Sequence, residues 1–322
     1  MTRDLISLMK KPPALILTYN PTQDMENYLG TLYMQFDQII IVDNASNPET
    51  RNSIIKQIHL RGAKLKVILN NHNRGVATAL NQGFALAINL GHNYIIALDQ
   101  DSQPVPNMLE EMLSIYNTYP KHGKTAIVAP MIEDREVRVI APYLRPKHHF
   151  LFERKTCTKE ILENVSIVIT SGSMYDLKIY EKVGPFRDDF FIDYVDTEYC
   201  LRTKQHGYEI IVACNARLLH KLGNQKKVNV GGVEIRPTFH SAIRWYYISR
   251  NRIPMIKLYG CQFPHWLLYE IVINSYGLLR MLLFEDYKIK KLLAVLFGCM
   301  DGLLGRSGVI PASRKTLLSQ TD

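Results

Sequence analysis

The stretch YIIALDQDSQP, residues 94–104, decides how the chain is read. Tyr94-Ile95-Ile96-Ala97-Leu98 is an apolar run of strand length, and it stops abruptly at Asp99-Gln100-Asp101. Along a strand, residues i and i+2 point the same way, so Asp99 and Asp101 share a side. Two carboxylates held together repel, and one tends to stay protonated. A divalent cation removes that difficulty. Oxygen ligands suit Mg2+ or Mn2+, which bind through one or two carboxylates and complete their shells with phosphate oxygens and water. The pair therefore reads as a seat for a metal that in turn holds a diphosphate. An ordinary Asp-rich turn would use the same residue types.

Working outward, three earlier runs share the pattern of 94–101. PALILTYN (13–20), QIIIVDN (38–44) and LKVILN (65–70) are β-branched, nearly continuous in apolar residues, and polar at the end. Between them, 22–35, 48–60 and 74–90 carry helical spacing, clearest at Val76, Leu80, Gly83, Phe84, Ala87 and Leu90. Strands alternating with helices predict an α/β fold with a mostly parallel, Rossmann-like central sheet covered on both faces. Further strands are predicted at 125–130, 137–142, 165–170 and 209–214, and helices at 104–118, 176–183 and 196–207. From about 236 the pattern is helical. A boundary at GNQKKVNVGG divides a catalytic domain, 1–225, from a C-terminal helical region, 226–322.

In an open α/β sheet ligands sit at the carboxyl edge of the strands. Four successive strand ends there are rich in polar groups: Thr18-Tyr19-Asn20, Asp43-Asn44, Asn70-Asn71 and Asp99-Gln100-Asp101. Asn73-Arg74-Gly75 opens the third helix on the same edge, where free N–H groups and a guanidinium suit an anion. Downstream, DDFFIDYVDTEYCLR (188–202) brings Asp193, Asp196 and Glu198 together. A helix starting near Asp196 would help keep it ionised, and a partly desolvated Asp can act as a general base or as a simple N-cap. Ser171-Gly172-Ser173 are small residues that let an acceptor approach the backbone. His220 follows the apolar run 209–213.

The +9 formal charge is unevenly placed: residues 1–225 hold 25 basic and 24 acidic side chains, residues 226–322 hold 14 and 6. A basic excess beside long apolar runs suits an anionic membrane surface or a solvated helical face, and the near-neutral remainder argues against a nucleic-acid binder. Residues 266–284 are strongly apolar but contain Glu270 and Arg280. With Asn274 and Gly277 these share one sector of a helical wheel, which predicts a helix packed on the domain or lying in an interface rather than a span. The N-terminus lacks the long apolar stretch of a secretory signal. Five widely spaced cysteines, with no CxxC pair, predict reduced thiols in the cytoplasm.

The ordered set TYN, VDNAS, NRGVATALNQGF, LDQDS, TSGSM, FFIDYVDTEYCLR and LLHKLG resembles the inverting family 2 glycosyltransferases of GT-A fold. Within them it is most similar to the bacterial rhamnosyltransferases that build cell-surface polysaccharide, and IRWYYISRNR (243–252) is also typical of that group. The resemblance implies Mg2+ or Mn2+ as cofactor, with Asp101 as direct ligand and His220 completing the site. It implies that Thr18, Tyr19, Asn20, Asp43, Asn73, Arg74, Gly75, Asp99 and Gln100 line the donor nucleotide. Asp196 would be the base, and Ser171, Gly172, Ser173, Asp193 and Glu198 would face the acceptor. The family pattern puts an acid before that Asp; here Val195 stands there, and Asp193 or Glu198 would substitute. The implied partners are a nucleotide-diphosphate sugar, dTDP-rhamnose before UDP-hexoses, and a saccharide acceptor that a lipid carrier would suit. The enzyme would be cytoplasmic and peripheral on the membrane. LDQDS also resembles the DxD of haloacid-dehalogenase-like phosphatases, and a non-catalytic nucleotide-binding scaffold is the remaining alternative.

Overall fold

A computed structural model of the chain describes residues 11–21, 24–220, 228–230, 233–235 and 237–319. Most of the boundary expected near 225, the first ten residues of the N-terminus, and the start of the helix expected at 22 lie outside them. The α/β alternation forms as the sequence predicts. The order is β1 (Ala14–Thr18), α1 (Met25–Leu32), β2 (Ile39–Asp43), α2 (Pro48–Arg61), β3 (Leu65–Leu69), α3 (Val76–Asn89) and β4 (Tyr94–Asp99). β3, β2, β1 and β4 are neighbours in that order and all parallel, so their carboxyl ends lie along one edge. Burial explains this. Every residue of β2 is buried, and α3 turns Ala77, Leu80, Gly83, Phe84 and Ala87 inward. Gly83 lets α3 settle onto β1, since a Cβ there would come within 2.3 Å of the Leu15 side chain.

The second half of the sheet is built from β5 (Gln103–Pro104), β6 (Thr125–Asp134), β9 (Ile161–Leu162), β10 (Met174–Asp176) and β11 (Glu209–His220), with β7 (Tyr143–Pro146) and β8 (Phe152–Lys155) as a separate hairpin. β10 runs antiparallel between β4 and β6, and β6 pairs parallel with β11. The long ladders are parallel, and each antiparallel pairing in this sheet takes in only two or three residues. Two expected strands do not form. Residues 137–142 make a turn with one bridge from Ile140 to Glu133, and 165–170 touch the hairpin through a single bridge from Ile167 to Leu144. In 165–170 Val165 and Val168 are buried in packing, whereas Val139 and Ile140 of 137–142 are exposed, and in neither stretch does a neighbouring backbone continue a ladder.

α4 (Met108–Thr118), α5 (Leu177–Val183) and α6 (Val195–Gln205) complete this layer. Phe84, Tyr175, Tyr180, Phe186 and Tyr199 form one aromatic cluster, with centroids from 4.3 to 6.0 Å apart, that fixes α6 against α3 and β10. A short hairpin, β12 (Val228–Val230) with β13 (Val233–Ile235), precedes α7 (Ala242–Tyr259), α8 (Pro264–Phe284), α9 (Lys288–Leu303) and α10 (Ala312–Ser319). Gly298 and Gly302 bring α9 hard against α7, where a Cβ would lie 2.4 and 2.5 Å from the carbonyls of Tyr246 and Arg250. The helical region shares its packing with the sheet domain: Tyr259, Phe263 and Trp266 join the main core, while Phe191 and Ile192 pack with Trp245 and Tyr247.

The cysteine expectation is corrected. Cys157 and Cys214 form a disulfide, and only Cys200, Cys261 and Cys299 are free. Their 57-residue separation hid the pair; β9 folds back along Val212 and Ala213 of β11 and brings them together.

Candidate active site

The parallel strands bring their ends together, Thr18 in register with Asp43 and Asp99 in register with Leu17, one residue before Thr18. The loop after β4 is then closed by β5, whose Gln103 and Pro104 pair with Leu219 and Leu218. That two-residue ladder carries His220, the next residue, back to the DxD. One ligand atom from each of Asp99, Asp101 and His220 lies within 4.8 Å of the others. His220 Nε2 is 3.7 Å from Asp99 Oδ2, and Nδ1 is 4.0 Å from Asp101 Oδ1. Two carboxylates and an imidazole at that spacing fit a divalent cation such as Mg2+ or Mn2+.

A serine relay, which the sequence reading did not find, braces this corner. Ser102, fully buried, sits 2.9 Å from His220 Nδ1 and 2.6 Å from Ser171 Oγ, which accepts the Asp99 N–H at 3.0 Å. The Ser102 contact through Nδ1 leaves Nε2 facing Asp99. The Asp99 carboxyl is held above its usual range, first by crowding from the surrounding protein and then by Asp101, with His220 opposing. About half of its side chain still meets solvent (51%), which screens part of that effect. A cation here would relieve the same repulsion.

The donor side is a mesh of Asn and Asp. Thr18 Oγ1 and the Ser46 N–H donate to Asp43, whose buried carboxylate also holds Arg51 at 3.2 Å. Asn44 accepts from the Arg74 N–H and donates to Asn73 and to the Gly75 carbonyl. Gln100 exchanges hydrogen bonds with both backbone groups of Tyr19, and the Asn20 N–H donates to Ser46. Tyr19, Asn20 and Arg74 are exposed on this edge, whereas Thr18 and Asp43 are sealed beneath it.

Across the corner, Asp196 stands in the first turn of α6, partly buried, and accepts the Thr197 N–H at 2.9 Å. Its pKa is raised to about 6; burial is the main cause, the amide of Thr197 opposes it, and Asp193 and Asp99 add repulsion. Asp193 binds Arg244 through Oδ1 at 3.1 Å, while its buried Oδ2 has no hydrogen-bond partner among the described residues. Of the two substitutes considered for the acid missing at Val195, the structure brings Asp193 to Asp196. Glu198 is turned inside, held by Arg202 at 2.9 Å and by the Tyr259 hydroxyl at 2.7 Å. Ser171, Gly172 and Ser173 are also buried: Gly172 lies against Leu218 and Pro130, and Ser173 donates to the Ile169 carbonyl. None of these four presents a side chain to an acceptor.

The glycosyl transferase family 2 model matches residues 14–184, the β1–α5 segment that carries the DxD. The chain belongs to glycosyl transferase family 2. That membership leaves no place for the dehalogenase-like phosphatase reading. Over its length the chain is 29% identical to the dTDP-rhamnosyl transferase RfbF of Shigella flexneri, covering 92% of this chain and 96% of that one. The fold is that of the GT-A glycosyltransferases. Staphylococcus aureus TarS 1–349 in complex with UDP-GlcNAc superposes with a TM-score of 0.54 at 14% identity, covering 96% of this chain and 84% of that one. GalNAc-T7 with UDP, GalNAc and Mn2+ superposes with a TM-score of 0.59 at 14% identity, over 80% of this chain and 49% of that one.

Proposed function

We propose that the protein transfers L-rhamnose, with inversion, from dTDP-rhamnose to a saccharide acceptor of bacterial cell-surface polysaccharide. The observation that carries this reading is the pairing of a cation-competent corner (Asp99, Asp101 and His220) with a partly buried carboxylate, Asp196, near enough to feel the charge of Asp99. The likeness to RfbF supports the sugar and the nucleotide. Mg2+ or Mn2+ held by Asp101, with His220 and Asp99, would supply positive charge against the leaving diphosphate. Arg74, Asn73 and Gly75 line the donor side with Tyr19, Asn20 and Gln100, while Thr18 and Asp43 fix the strand ends below them. Asp196 accepts the proton of an acceptor hydroxyl as that oxygen bonds to the anomeric carbon from the face opposite the diphosphate. The bond from that carbon to the diphosphate oxygen breaks, the nucleoside diphosphate leaves with the electron pair, and the configuration inverts. Asp193, paired with Arg244, adds negative charge beside Asp196 and so helps to raise its proton affinity.

The acceptor is lipid-linked on this reading, and the enzyme rests on the cytoplasmic face of the membrane. α8 supports this because its polarity is inverted. Glu270 and Asn274 bond inward to Arg252, and Gly277 faces Trp245, while Leu268, Val272, Tyr276, Leu279 and Leu283 are exposed. α9 repeats the outward stripe at Ile289, Leu293, Leu296, Met300 and Leu303. Glu270, Glu285 and Asp301 are buried in ion pairs, so the exposed charge of this region is mostly basic. An apolar surface edged with lysines suits anionic lipid.

Thermal shift and turnover with dTDP-rhamnose and UDP-hexoses, with and without Mn2+, test the reaction. Binding at 100 times Kd should stabilise the protein by about 2.7 kcal/mol, depend on metal, and vanish in Asp101→Ala. A response to UDP-hexoses alone would reassign the donor. Binding without any transfer or hydrolysis would favour the non-catalytic scaffold.

A further inference from the structure

The loop that leads into Asp196 has an unfavourable backbone. Phe191, Asp193 and Tyr194 all have positive φ, of 65°, 61° and 62°, although each carries a side chain. Turn bonds within the loop, from the Phe191 N–H to the Asp188 carbonyl and from the Ile192 N–H to the Phe190 carbonyl, account for part of this shape. The rest is held from α7, about sixty residues away. Asn251 Nδ2 donates to the carbonyls of Phe190, Ile192 and Asp193 at 3.0, 2.8 and 3.1 Å. Arg250 donates to the Phe190 carbonyl at 3.0 Å and also to Gly308, and its Nε donates to Asn251 Oδ1 at 2.9 Å. That last bond fixes which way the Asn251 amide points. Both side chains are almost completely buried, at 2% and 1% exposure. The same loop reaches the donor side. Its Phe191 carbonyl accepts the Val76 N–H, the first of α3, at 2.7 Å, and a Cβ on Gly75 would lie 2.5 Å from it.

We propose that Arg250 and Asn251 are positioning residues for glycosyl transfer: from the helical region they clamp loop 189–194, and through it set Asp196 relative to the donor loop at Gly75. This rests on the assignment of Asp196 as base. A buried guanidinium and amide that satisfy four backbone carbonyls cannot be exchanged for apolar groups without freeing those carbonyls. The loop would then relax toward ordinary φ values and carry the start of α6 with it. Helix α7 is therefore part of the transferase site, and the catalytic unit does not end near residue 225.

The test uses the full chain with Mn2+, measuring dTDP-rhamnose Kd directly alongside kcat. Asn251→Leu and Arg250→Met should leave the donor Kd close to wild type and lower kcat by about 10²-fold, the loss expected of a small misplacement of a reacting group. Arg250→Lys keeps the charge but not the planar fork, so it should recover part of the kcat lost in Arg250→Met. Folded Asn251→Leu and Arg250→Met proteins with wild-type kcat would overturn the proposal, as would a loss confined to donor affinity. If Asn251→Leu does not fold, Arg250→Lys against wild type decides, since it must show the same kcat-only loss in milder form. Asp196→Asn is run in parallel. If it retains turnover, the base assignment fails and this inference falls with it; if it is inactive while the clamp variants are normal, only the clamp is wrong.

Discussion

Asp196→Asn separates catalysis from stability, and the two effects should have opposite signs. The carboxyl is shifted from 3.8 to about 6, so burial disfavours its charged form in the folded protein. In the unfolded chain it ionises near 3.8. The native state therefore carries a penalty that is absent below pH 4, grows as pH rises toward 6, and is complete above that. A shift of roughly two units corresponds to about 3 kcal/mol at most, and partial exposure reduces it to about 1–2 kcal/mol. Asparagine has no charge to bury, so the variant should melt a few degrees higher at pH 8, about 2–4 °C per kcal/mol for a protein of this size class. Its melting point should match wild type at pH 4. Turnover should move the other way, down by about 10²–10⁴-fold, because no proton acceptor remains. Wild-type kcat should rise with pH through about 6, the deprotonated form being active, and level off above it. A titration series of melting temperature and kcat on both proteins reads all of this. An Asp196→Asn enzyme that keeps wild-type kcat, or a wild-type profile flat from pH 5 to pH 8, would refute the reasoning.

Two further outcomes follow from the same geometry. Gly75→Ala should lose most activity and some stability, because Gly75 has φ +83° and a methyl group there would strike the Phe191 carbonyl and ring; unaltered kcat and melting point would show that the loop contact yields freely. The chain should sediment with vesicles containing phosphatidylglycerol more than with pure phosphatidylcholine, less so at high salt, and Leu279→Glu with Leu283→Glu should abolish it; equal recovery with both lipids, or a dimer by light scattering in place of binding, would remove the membrane reading.

What the sequence made readable was local. Strand alternation pairs Asp99 with Asp101 on paper; β4 in fact ends at Asp99 and Asp101 stands in the turn that follows, which still brings the two carboxylates together. The four polar strand ends need only a parallel sheet to meet on one edge. His220 reached the site through resemblance alone, because its placement depends on the short ladder between Gln103-Pro104 and Leu218-Leu219, which no spacing announces. On sequence, Ser171 and Ser173 read as small residues that let an acceptor approach the backbone. They are buried because β10 enters the sheet next to β4, and their hydroxyls serve the backbone instead. Glu198 sits two residues from Asp196, and on a helix that spacing turns it to another face, toward Arg202 and Tyr259. Arg250 and Asn251 went unread as site residues. The signal available was the run Arg250-Asn251-Arg252 flanked by the aromatic Trp245-Tyr246-Tyr247 and the apolar Ile253-Pro254-Met255-Ile256, since charged groups enter a packed helix only with partners to meet.

The outward polarity of α8 follows from that same run. Arg252 Nε donates to the Tyr194 hydroxyl at 3.2 Å and reaches Glu270 at 3.3 Å, so the cation that steadies Tyr194 at the start of α6 needs a carboxylate from α8. Asn274 joins the pair one turn later, and Trp245 closes over Gly277. Once Glu270, Asn274 and Gly277 are committed inward, helical spacing sends Leu268, Val272, Tyr276, Leu279 and Leu283 outward. Leaving such a stripe in water forfeits about 25 cal/mol for each Å² of apolar area not covered. On the proposed reading, a lipid surface would cover it without disturbing the inner side. The charged side of α8 thus serves the loop that leads into Asp196, and its greasy side is the surface that the proposed membrane contact would cover.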